Sequence, residues 1–312
     1  MARAVFVKLE NALIPFWSPM DTKYSLKQSQ YISLWKLGNS RTTYRELSDR
    51  FDVGKGTSHK LFFKTIKAIC CLNGEISWPT VTEQQQIMER FQTIRANSFP
   101  FVIGCMDGIH FKINTPKHDA ISNYDSKGVH SMIMQAICDS KLRFLDVFIG
   151  FPGSCHDGNV WKSSPIFKGI TSGEVPIAGG GIILADSAYP LSKYLIVPFR
   201  DNGRLTTDDR KFNHYLSSTR VLIEQAFGVL RQKFKILNHI DVISLKRVSK
   251  VMLSSAILHN FIINNDEDSN IVESNGIIPN TNDDPETENI NNINDSSEGI
   301  SRRNELKMLF TS

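Results

Sequence analysis

Three carboxylates in this 312-residue chain stand where apolar segments would carry them into a core. Asp107 ends the run FPFVIGCM and Asp186 ends GIILA. Glu224 lies among Val221, Leu222, Ile223, Ala226 and Phe227. A buried carboxylate is costly unless it is paired or holds a cation. Brought together, the three would repel, and one would protonate unless a metal supplied the compensating charge. Hard oxygen ligands suit Mg²⁺ or Mn²⁺. Two such ions about 4 Å apart can activate a water on one side of a phosphodiester and stabilise the leaving oxygen on the other. The plainer alternative is that DSAYP and MDG are turns, since strand-end aspartates often form them. Gly228, one turn beyond Glu224 on the same helical face, leaves room for a ligand or another backbone.

The elements that must position these acids read as strands alternating with helices over 99–264. FVIGCMDGIHFKI is a strand candidate, and HSMIMQAICD and RFLDVFIGF pattern as a hairpin joined at 139–142. DGNVWKSSPIFKG reads as one helix, GIILADS as a strand, SSTRVLIEQAFGVLRQKFKIL as a long helix and LKRVSKVMLSSAILHNFIIN as a closing helix. The expected class is α/β, a mixed sheet with helices packed on it. Ahead of it, 25–98 reads as an all-α region. There Thr43 and Glu46 form a capping-box signature, and Gly54 and Gly56 punctuate a helix-turn-helix. The second helix of that pair opens with Lys55, Thr57, Ser58, His59 and Lys60, followed by Lys64 and Lys67. In a helix-turn-helix this end meets DNA, with lysines reaching phosphates. A helical bundle with a solvated basic face is the alternative.

Composition narrows the classes. Hydrophobic residues make up 41% and charged residues 22%, as in ordinary globular proteins. No run approaches the roughly 20 apolar residues of a membrane span, and the N-terminal residues 1–24 do not read as a signal peptide. Five cysteines with no CxxC pair argue against a disulfide framework or a structural zinc site, and a reducing compartment is the expectation. The formal charge is +4, but ten acidic residues and no Lys or Arg fall in 264–299; the remainder carries 36 basic and 22 acidic residues, a net +14. Such a body favours a polyanionic partner. The acidic, Asn-rich segment 265–299 is expected to be disordered, with a short helix over 300–312. Other chemistries lack their context. His156 and Asp157 are adjacent and poorly placed to share one substrate; Ser187 has no GxSxG elbow. The glycines at 179–181 and the GKG at 54–56 are not phosphate loops. Cys105 reads as packing.

Several ordered blocks then carry a resemblance. GCMDGIHFKI, YDSKGVHSMIMQAICDSKLRFLDVFIGFPGSCHDGNVWKSSPI, ADSAYPLSKYLIVPFRDNGRLT and LSSTRVLIEQAFGVLRQKFKIL are similar to successive blocks of the PIF/Harbinger-type DDE transposases and of the Harbinger-derived nuclease proteins of animals. SAILHNFI resembles the family's closing helix. The resemblance implies a ribonuclease-H-like nuclease domain over 99–264 whose catalytic D-D-E acids, Asp107, Asp186 and Glu224, bind divalent metal. It implies Asp157 as a further ligand. It also implies cleavage of DNA to a 3′-hydroxyl with subsequent strand transfer, a Myb/SANT-like DNA-binding partner and residence in the nucleus, with the cytoplasm as a second location. The assembly stays open, a homo-oligomer being one alternative. The rival expectation is a domesticated, catalytically idle DNA-binding or scaffold protein on the same fold. The sequence departs from the family's usual residues at Ile109 (Thr), Ser126 (Arg) and Gln225 (Arg).

Overall fold

The apolar run before Asp107 becomes the central strand β1 (Val102–Lys112). In the computed structural model, which describes residues 1–17, 24–94, 99–116, 123–125, 128–266 and 295–310, β1 pairs antiparallel with β2 (Ser131–Cys138). β2 pairs antiparallel with β3 (Phe144–Pro152) across the turn expected at 139–142, where Leu142 adopts φ 64° and its N–H donates to the Asp139 carbonyl at 3.1 Å. On its other side β1 runs parallel to the short β4 (Ile182–Leu184), and β4 runs parallel to β5 (Leu195–Ile196). The order β3-β2-β1-β4-β5, with helices packed on it, is the ribonuclease-H-like arrangement. Every residue of β2 is buried, as an interior strand between two layers requires.

β3 is an edge strand. Its ladder to β2 carries an extra residue at Leu145 and another at Gly150, the latter with φ 125°. Asp146 lies between these bulges. Its Oδ2 is buried with no hydrogen-bond partner, and burial pushes its carboxyl up to about 6.

The helical region contributes α1 (Arg3–Leu13), α2 (Leu26–Gly38), α3 (Tyr44–Phe51), α4 (Lys55–Ile69) and α5 (Val81–Ile94). The capping box is present at α3: Thr43 Oγ1 accepts from the Glu46 amide at 3.2 Å and the Thr43 amide donates to Glu46 Oε2 at 3.0 Å. Ile32, Leu47, Val53 and Leu61 form a small satellite core among α2, α3 and α4. The opposite faces of α1 and α4 do not stand apart from the sheet. Val5, Leu9, Leu13, Phe62, Ile66 and Ile69 belong to the same hydrophobic core as β1 and β2.

Where one helix was expected after β3, the chain makes two, α6 (Asp157–Ser163) and α7 (Pro165–Ser172). The break has a local cause. Pro165 cannot donate to the preceding turn but suits the first position of a new helix, and Ser164 caps that helix by accepting from the Phe167 amide at 3.2 Å. α8 (Thr207–Lys233) crosses the sheet behind β1, and α9 (Leu245–Asn265) packs on β3 and α4. A last helix, α10 (Ser297–Met308), begins three residues before the boundary expected from sequence because Ser296 caps it, accepting from the Gly299 amide at 3.0 Å. It lies against β5 and α8, tied by Lys307 to Asp209 at 3.1 Å and by Phe310 stacked on Tyr215. Ser126 and the greater part of the acidic segment expected over 265–299 lie outside the described residues.

The buried carboxyl of Asp146 sets a pH dependence. Its folded pKa lies above the unfolded value near 3.9, so the native state holds the proton longer and stability falls as pH rises from about 4 through about 6. Asp146→Asn is expected to match the wild type in thermal unfolding below pH 4 and to exceed it above pH 6. Equal melting temperatures at pH 7 would count against this.

Candidate functional site

Asp107 sits in β1 just past the last residue that pairs with β4, where that edge of the strand opens. Asp186 follows β4 by two residues, so the parallel pairing delivers both acids to the same end of the sheet. Asp186 also answers to the turn interpretation, because its Oδ1 accepts from the Ala188 amide at 2.9 Å. Turn formation and site formation coexist here, one oxygen fixing the loop that aims the carboxylate. Asp157, the first residue of α6, brings its carboxylate against β1 at Gly108. A side chain at Gly108 would place its Cβ 2.6 Å from Asp157 Oδ1, so a glycine beside Asp107 is what lets the two acids approach.

Asp107, Asp157 and Asp186 each present an oxygen within 4.8 Å of the others. The cluster sits partly buried, and Asp107 is pushed up to about 7 mainly by burial, with Arg220 opposing that rise and Asp186 adding to it. Tyr189, buried in the same ADSAYP segment, has a hydroxyl with no hydrogen-bond partner. The electrostatic influence of Asp157, Asp107 and Asp186 on that hydroxyl puts it beside the cluster. Three oxygen donors at this spacing, with a glycine cradle and an unsatisfied hydroxyl beside them, fit a hard divalent cation.

Glu224 is placed differently from expectation. It faces the site from α8 but is not a member of the tight cluster. Its Oε1 lies 2.8 Å from Nη2 of Arg220, one helical turn earlier, and Nη1 of the same guanidinium lies 3.0 Å from Asp107 Oδ2. The trio nearest to sharing one ion is therefore Asp107, Asp157 and Asp186, and Glu224 joins them through Arg220. Sequence reasoning passed over Arg220. The available signal was an Arg-x-x-x-Glu pair at i, i+4 in an otherwise apolar helix, since a buried glutamate needs a partner within one turn. Gly228 faces open space, Ile109 packs against the core, and Cys105 is buried with its thiol toward the Thr219 carbonyl.

The residues expected to meet DNA divide by face. Lys55 and Lys60 are exposed on α4, as is Lys67, while Thr57 is half-buried. Lys64 lies on the same flank, its ammonium 3.9 Å from the centre of the Trp17 ring. Ser58 is a correction. It is fully buried and its hydroxyl donates to the carbonyls of Lys55 and Tyr44, so it packs between α4 and α3 rather than facing outward. His59 turns toward a crevice of about 650 Å³ between α4 and the start of α9. There it packs edge-on to Tyr44 and beside Phe63, and its Nε2 lies 3.4 Å from Nη1 of Arg247. Burial first, then Arg247 and Lys36, hold its pKa below the usual range. His59 is thus a packing residue at the junction of the helical region and the sheet.

A mixed sheet of this order with carboxylates gathered at one end of β1 and β4 defines a ribonuclease-H-like domain. Residues 106–260 match the family of DDE superfamily endonucleases, and the chain belongs to the Harbinger branch of that family. It is 25% identical over 255 residues to Protein ALP1-like of Arabidopsis thaliana, covering 77% of this chain and 61% of that one. It is 27% identical over 164 residues to HARBI1 of Homo sapiens, a protein named as a candidate nuclease, covering 52% of this chain and 46% of that one. It is 25% identical over 227 residues to the Arabidopsis protein Antagonist of Like Heterochromatin Protein 1, covering 68% and 56%. The chain thus spans between about half and three-fifths of the length of these relatives. No solved structure matches it.

Gly108→Ala tests the cradle. The added methyl must push Asp157 aside, and Mn²⁺ affinity measured by calorimetry is expected to fall by at least about 10-fold, the scale set by disturbing a metal site's supporting groups. Circular dichroism should report an unchanged fold. Wild-type affinity in the variant would show that Asp157 takes no part.

Proposed function

We propose that this protein is a divalent-metal-dependent DNA endonuclease of the DDE transposase type. The observation that carries the proposal is the convergence of Asp107, Asp157 and Asp186 within 4.8 Å at the end of a ribonuclease-H-like sheet. These three would hold Mg²⁺ or Mn²⁺, with Glu224 completing the set from α8. When bound, the metal would supply Lewis-acid activation of water and stabilisation of the leaving oxygen at a phosphodiester. The chain's own contribution is to fix the carboxylates in a partly desolvated pocket, where electrostatic interactions are stronger than in water. The exposed lysines of α4 offer a surface for phosphate contacts, and the net +14 of the chain outside its acidic stretch supports attraction of a polyanion.

Strand transfer, a Myb/SANT-like partner that assists end recognition, and work in the nucleus are further parts of this proposal, supported by membership of the family. No helix among the described residues is long and apolar enough to cross a membrane.

Supercoiled plasmid incubated with the protein and Mn²⁺ should be nicked. Asp186→Ala and Asp157→Ala should each slow nicking by about 100-fold or more, since loss of even an outer partner of a metal site can cost that much. Equal rates in the wild type and both variants would leave a DNA-binding protein without cleavage, the rival function.

Binding is separable from cleavage. Lys60→Ala combined with Lys67→Ala is expected to weaken DNA binding and to flatten the dependence of log affinity on log salt by about one for each lysine that contacts a phosphate. Fluorescence anisotropy across a salt series checks it, and an unchanged slope would place the DNA on another face.

A further inference from the structure

Arg220 occupies an unusual position for a guanidinium. It stands on α8 with about a fifth of its side chain exposed, one nitrogen 3.0 Å from Asp107 Oδ2 and the other 2.8 Å from Glu224 Oε1. Asp107 is at the same time a member of the carboxylate cluster. One positive group is therefore spread between an acid of the cluster and the acid one turn along its own helix, with its two forks aimed at different carboxylates. A surface ion pair of this kind is worth little, but among partly buried acids an uncompensated charge is costly. A cation in this position uses the oxygens that a divalent ion would need.

We propose that Arg220 is a built-in stand-in for the metal. In the metal-free protein it neutralises Asp107 and Glu224 and holds them in register, and it competes with an incoming divalent ion for their oxygens. The inference rests on the metal-centre reading of the acid cluster. Arginine stays charged at any ordinary pH, so it cannot yield by losing a proton. It must swing away, and its flexible stem on an otherwise fixed helix lets the head group move while the backbone stays. Apo stability and metal affinity are then opposed. The contact that steadies the empty site also weakens loading, and removing it should help the metal twice, by ending competition and by removing a like charge.

A purely structural Arg220 would behave in the opposite way, because misplacing Asp107 and Glu224 would weaken metal binding. The test is calorimetric titration of Mn²⁺ into the wild type, Arg220→Gln and Arg220→Lys, with thermal unfolding in EDTA and in saturating Mn²⁺. Arg220→Gln should bind Mn²⁺ at least about 5-fold more tightly, the lower end of ordinary site-to-site coupling. It should melt lower than the wild type in EDTA, with that deficit closing in Mn²⁺. Arg220→Lys keeps the charge but cannot fork between two carboxylates, so it should tighten binding by less, and it serves if the Gln variant does not fold. Unchanged or weaker Mn²⁺ binding in the folded variants, or a melting deficit of equal size with and without Mn²⁺, overturns the proposal. A wild type that takes up no Mn²⁺ refutes the metal centre itself, whereas a wild type that binds with variants that do not bind more tightly refutes only the stand-in.

Discussion

Crowding of negative charge around Asp107 is the constraint on which the site depends. Burial and Asp186 both resist its ionisation, and Arg220 opposes them. Each neighbouring feature answers that constraint. Gly108 makes space for Asp157, the turn after β4 ties Asp186 to the Ala188 amide, and α8 supplies both the cation and Glu224. The parallel pairing of β1 with β4 is what brings Asp107 and Asp186 to one end of the sheet. Without compensating positive charge the arrangement would favour protonation over the fully ionised state.

The parts of the fold that were legible in the sequence are those fixed by neighbours along the chain. The capping box of Thr43 and Glu46, the hairpin turn at 139–142 and the long apolar stripe of α8 depend on residues a few positions apart, and each is present. Misread elements also have local causes. Pro165 divides what looked like one helix, and Ser296 starts α10 ahead of the expected boundary. The start of the chain carries a local signal too: Val5, Leu9 and Leu13 recur at helical spacing and pack into the main core as α1.

The site was legible in its residue types more than in its pairings. That buried acids must meet a cation follows from solvation alone, so Asp107, Asp186 and Glu224 stood out without any coordinates. Which acids lie closest does not follow, because the approach of Asp157 is decided by a missing side chain at Gly108, 49 residues away in the chain. The same limit applies to α4. A row of polar residues at a helix start looks uniform in sequence, yet packing against α3 and α9 buries Ser58, turns His59 inward and leaves Lys60 and Lys67 outward. The helical region is therefore packed into the same body as the sheet, so movement of α4 would be felt by α9 and the sheet behind it.

The two rims of the sheet are finished in different ways. At one rim α10 lies along β5; at the other, β3 shows half-buried Val147, Phe148, Ile149 and Phe151 beside a bulge at Gly150. An open strand of such residues is a template for a foreign chain to zip onto, which is how fibrils begin. The extra residue at Gly150 throws the hydrogen-bonding groups out of phase midway along the strand, so an incoming chain could match only a few residues before losing registry. A flaw in the ladder thus becomes protection against self-association through that rim.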